Sequence, residues 1–254
     1  MTLYSLLTAA RGRQLLKANG WSDSLNFFVS ETGARITVAG TVSTPVLIAL
    51  LPGLSARGRI DPDNVKGLQL LCEKYRVEVR VNGTVCGDEM TLNVVAIGVP
   101  ADLVLSRCSL ISALQDDLAA VCKALADDAD TILDLTGAQY DGANIFERVT
   151  PHFIVSAEAW DALPAADHPD EKQTDYWLNE ILNHGSEVLS VGLVVTRDFG
   201  MIRMGELPLP EVCVIRPGTP VRRWLPRQHL ARLATDVRRT IHIDREITAS
   251  FAAR

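Results

Sequence analysis

The sequence predicts an α/β protein with a mainly parallel, doubly wound sheet in its second half and an α+β region at its N-terminus. Three observations carry that expectation. Hydrophobic residues make up 47% of the 254 positions, enough for a sizeable core. Beyond residue 90, short apolar runs without alternation are separated by helix-like stretches. Runs of that kind suit strands buried on both faces, the usual condition in a parallel sheet. Before residue 90 the runs alternate instead. Val77, Val79 and Val81 are interleaved with Glu78 and Arg80, as in a strand with one wet face.

Taken in order, Leu3, Leu6, Leu7, Ala10, Leu15 and Leu16 fall on one face of a helix over 3–18, ended by Asn19-Gly20. Strands are expected at 26–30 and 34–39, with Glu31-Thr32-Gly33 as the turn. Residues 45–54 fit either a buried strand or a helix that begins at Pro45. Asp61-Pro62-Asp63 starts a helix running to about residue 75. Strands follow at 76–81, closed by Asn82-Gly83, and at 91–99. Leu110, Leu114, Leu118, Val121 and Leu125 mark a helix over 106–126. Later strands are read at Thr131–Leu135, Phe153–Val155, Val188–Thr196 and Val212–Ile215. Helices are read at 174–183 and 226–242. The division is drawn as an N-terminal region, 1–90, and an α/β domain, 91–254, with a basic C-terminal helix. The first region is either a lobe of its own or the opening of the same sheet. Antiparallel pairing of 26–30 with 35–39 would mark a separate lobe. Parallel pairing of 35–39 with 132–135 would mark a shared sheet.

Composition narrows the function classes. No apolar run is long enough to span a membrane, and the first 16 residues lack a signal-peptide pattern. Five cysteines with no C-x-x-C spacing argue against a disulfide framework and for a reducing, cytoplasmic setting. No histidine lies within four residues of another histidine or a cysteine, so no metal site is assigned. No catalytic residue is nominated either, because no known nucleophile or metalloprotease motif is present. Charge is uneven. From Glu211 to the C-terminus nine arginines face four acids, a net +5 against −6 for the whole chain. Arg222, Arg223, Trp224, Arg227, Arg232, Arg238 and Arg239 are therefore the candidate partner-binding residues. Guanidinium groups beside an indole suit an acidic protein or, as the alternative, nucleic acid.

Leu92 through Leu125 into Thr131-Ile132-Leu133-Asp134-Leu135-Thr136-Gly137, then Phe153–Ser156, Val191–Arg197 and Cys213–Pro217, resemble the later part of ParA/MinD-type P-loop ATPases. The resemblance covers about residues 90–245. It implies a phosphate loop near Ile36–Pro45, with Gly40, Ser43 and Thr44 as nucleotide-binding residues and Asp134 supporting magnesium. That loop has one glycine, no lysine, and Pro45 where an amide donor is needed. The expectation is thus a bacterial adaptor or regulatory protein on a degenerate P-loop-like fold. It would use no cofactor and bind a protein partner, as a homodimer or beside an active ATPase. One alternative is an ATPase or GTPase with an atypical loop, taking ATP or GTP with magnesium. The other follows from the order of elements in the first half, which resembles bacterial secretion chaperones and implies a peptide-binding protein.

Overall fold

The computed structural model describes residues 2–21, 24–30, 35–86, 89–137, 142–160, 169–197 and 202–252, with backbone alone for 244 and 247–252. The chain divides into two compact units. One is residues 5–130; the other is 131–254 with 1–4.

The first unit contains α1 (Leu3–Ala18), β1 (Leu25–Val29), β2 (Ile36–Val42), α2 (Thr44–Ala56), α3 (Pro62–Tyr75), β3 (Glu78–Cys86), β4 (Glu89–Ile97) and most of α4 (Val104–Leu135). Its four strands form one antiparallel sheet in the order β1-β2-β3-β4. Alternation sets which face is buried. Leu25, Phe27, Ile36, Val38, Val79, Val81, Val94 and Ala96 join a core with Leu47, Leu50, Leu51 and Leu54 of α2 and Leu110, Leu114, Leu118 and Leu125 of α4. The opposite face carries Phe28, Arg80, Asn82, Asn93, Val95 and Ile97 and is exposed. Residues 45–54 are helical. Pro45 suits a first turn, where its missing N–H costs nothing. Asp61 caps α3 by accepting from the Asp63 N–H at 3.0 Å. The expected turn at Asn82-Gly83 is instead strand interior. A Cβ on Gly83 would lie 2.3 Å from Leu92 Cδ2, so glycine lets the two strands close up there. The turn expected at 31–33 lies outside the described residues.

The second unit contains β5 (Asn144–Val149), β6 (Ile154–Trp160), α5 (Glu171–His184), β7 (Glu187–Arg197), β8 (Ile202–Pro208), β9 (Cys213–Ile215), α6 (Val221–Trp224) and α7 (Arg227–Ala252). Its sheet runs β5-β6-β7-β8, with β9 on β7, and every pairing is antiparallel. Leu233 and Val237 of α7 pack with Ala157, Leu193, Val195 and Met204.

These two antiparallel sheets overturn the expected parallel, doubly wound sheet. Two readings caused the error. Thr131–Leu135 is not a strand but the end of α4. The buried positions Leu118, Val121, Leu125, Ala129 and Ile132 keep the three-and-four spacing of one helix through it. Continuous apolarity at 188–196 reports burial on both faces, and an antiparallel strand gains that as well. Both α5 and α7 pack against β7, the central strand. Among the described residues no helix is long and apolar enough to cross a membrane.

Candidate functional site

The residues assigned to a phosphate loop have places that packing explains. Gly40 lies within β2, opposite Leu25 on one side and Val81 on the other. A Cβ there would stand 2.0 Å from the Ser24 carbonyl oxygen, so a side chain would push β1 away. Ser43 is the N-cap position of α2 and makes no side-chain cap bond. Thr44 Oγ1 donates to the Val77 carbonyl at 2.8 Å, tying the start of α2 to the approach of β3. Asp134 sits exposed in the last turn of α4, in the other unit, rather than at a strand end.

Two buried carboxylates had no signal in the sequence, because their partners are remote along the chain. Asp117 of α4 accepts from Arg57 Nε at 2.7 Å and Nη2 at 2.9 Å, and from the Trp21 indole N–H at 2.9 Å. Glu180 of α5 accepts from Arg216 Nη2 at 2.6 Å and Nε at 2.9 Å, and from Ser186 Oγ at 2.8 Å. The Arg216 guanidinium holds the Glu180 carboxyl at about 2, well below the usual carboxylate range, against the opposing effect of burial; Ser186 assists. Both groups are fully engaged in fastening elements together. The buried thiols are likewise inert. Burial pushes Cys72 up to about 11 and Cys122 to about 12. Cys86 and Cys108 are exposed.

The basic segment forms an open, chemically mixed surface. After β8 the chain bonds back to β7 through the Leu209 N–H and the Val191 carbonyl (2.8 Å), leaves the ladder at 210–212, and rejoins it as β9. A turn with Gly218 at φ +75° leads to Pro220 and the single turn of α6, after which Pro226 opens onto α7. Together these segments bound a cleft of about 430 Å³. Its apolar lining includes Leu209, Val212 and Trp224; its polar groups include Glu211, Arg223 and His229. Cys213 also lines it, with its thiol pushed up to about 11 by burial and by Glu211. Buried Leu225 anchors the α6–α7 corner.

Of the expected partner-binding residues, Arg223 and Trp224 line the cleft. Arg222 and Arg227 are exposed on the same short segment, and Arg232, Arg238 and Arg239 are exposed along α7. Among the described residues no ion pair engages these six arginines, whereas Arg11, Arg57, Arg203 and Arg216 are all paired. The arginines and Trp224 are legible in the sequence; the return of the chain along β7 brings Glu211 and Cys213 beside them, and His229 joins from the first turn of α7.

The fold is that of a two-unit protein of helices and antiparallel sheets, with a basic, partly apolar surface cleft on the second unit. Compared with family models, curated proteins and solved structures, the chain matches none.

Proposed function

We propose that this chain is a protein-binding adaptor that holds an acidic, partly apolar segment of a partner at the cleft between β9, α6 and α7. The observation that carries the reading is the coincidence there of exposed, uncommitted guanidinium groups with an apolar lining that includes Trp224. Arginine keeps its charge and presents donors in a fixed fork, so it recognises carboxylates with little reorganisation. Apolar walls add burial at about 25 cal/mol per Å². A protein segment fits better than nucleic acid. Glu211 lines the same cleft, and Asp236 and Glu246 interrupt the arginines of α7, so these arginines do not form the unbroken cationic track that a phosphate backbone follows.

The test is fluorescence anisotropy with a labelled peptide alternating Glu and Leu, titrated with the full chain. Saturable binding that weakens at least about tenfold in the double variant Arg222→Glu, Arg223→Glu supports the reading. Equal affinity in wild type and variant, or preference for a single-stranded oligonucleotide, contradicts it.

A further inference from the structure

Sheet edges are hazards, because their unpaired N–H and C=O groups template another strand, and proteins blunt them with short strands, charges, prolines or bulges. Of the five edge strands among the described residues, β9 has only three residues, and β5 and β8 carry such devices. β1 has five residues and no charge. β5 carries Glu147 and Arg148 and a register shift between Asn144 and Phe146. β8 carries Arg203 and Glu206, ends in Pro208, and has a register shift opposite Val195. β4 is the longest of the five. It runs nine residues, Glu-Met-Thr-Leu-Asn-Val-Val-Ala-Ile, in unbroken register with β3. It has no proline and no basic residue, and its one charge, Glu89, stands at its end. Met90, Val95 and Ile97 on it are exposed in the full chain. Gln115 Nε2 reaches the Leu92 carbonyl only at 3.5 Å, too long to satisfy it well.

We infer that β4 is a homodimerisation edge, pairing antiparallel with β4 of a second copy so that two four-stranded sheets become one of eight strands. A second copy is the occupant that the sequence of the strand itself suits. The register that pairs all nine residues centres on Asn93. It sets Thr91 opposite the second copy's Val95, Leu92 opposite Val94, Met90 opposite Ala96 and Glu89 opposite Ile97. Like faces of the two strands coincide, as side-chain alternation requires. The two Glu89 carboxylates lie at opposite ends, so no like charges meet. The only self-facing pair is amide on amide at Asn93.

That pair supplies the test. Asn93 is exposed on the open sheet face, so its replacement leaves the core alone. Sedimentation equilibrium of the full chain is expected to show a concentration-dependent dimer. Asn93→Lys places two cations face to face and weakens it at least about tenfold. An equimolar mixture of Asn93→Lys and Asn93→Glu chains restores a heterodimer. A wild-type chain that stays monomeric at every concentration overturns the inference. So does a dimer whose dissociation constant is unchanged by Asn93→Lys, or variants that fail to re-associate when mixed.

Discussion

The Asp117 carboxyl is only 2% exposed, which is tolerable because three donors from Arg57 and Trp21 surround it. Arg57 keeps partial contact with solvent, so removing the acid strands the cation less severely than in a dry interior. Asp117→Ala is expected to destabilise the first unit by about 1.5–3 kcal/mol, the range for hydrogen bonds to a charged group. Thermal melting measures the loss, and the emission of Trp21 shifts with its lost acceptor. Glu180 makes a prediction in pH. Its folded-state carboxyl sits at about 2, below the ordinary range, so its contribution is complete above the unfolded value and is lost as pH falls through the folded one. Acid unfolding followed by circular dichroism should therefore show a stability loss from about pH 4.5 down to 2 that Glu180→Gln lacks. An identical acid limb in the two proteins would detach the carboxylate from stability.

At the scale of elements, Gly40 separates two accounts of one segment. Its place opposite Leu25, with the Ser24 carbonyl where a Cβ would stand, makes it a strand-packing residue. Gly40→Ala is expected to lower the melting temperature of the first unit by several degrees, equivalent to about 1–2 kcal/mol. An unchanged melting temperature would remove the packing account. The elements themselves were largely legible. α1, α3, α5 and both strands of the β1–β2 hairpin stand within a few residues of where periodicity and capping put them, because these segments carry their own signals. Pairing direction was not legible. The run Val188–Thr196 reads alike in parallel and antiparallel sheets, since apolarity records burial and not the orientation of a neighbour. The Thr131–Leu135 error has another origin. A β-branched cluster looked like a strand, while the spacing from Leu118 through Ile132 had already committed it to α4. Of the candidate site, the arginines and Trp224 were legible as composition. Glu211 was not, because a non-local strand return places it, and His229, two residues from Arg227, carried no signal of its own.

For the molecule as a whole, each unit realises one plan: two antiparallel strands, helical connection, two more antiparallel strands, then a long amphipathic helix over the sheet. The units use that plan unequally. The first leaves a long strand edge and an open sheet face; the second blunts its edges and instead opens a cleft where the last strand passes into the last helix. The strand edge is the surface proposed for self-association and the cleft the one proposed for an acidic partner. The proposed docking takes place at the α6–α7 cleft. It is tested most directly by placing a photo-reactive phenylalanine analogue at position 228, in the cleft lining, or at position 41, on the exposed face of β2, and irradiating each with the Glu-Leu peptide. Cross-linking at 228 but not at 41, abolished by Arg223→Glu, is the predicted result; equal cross-linking at both positions, or none at 228, would contradict the account.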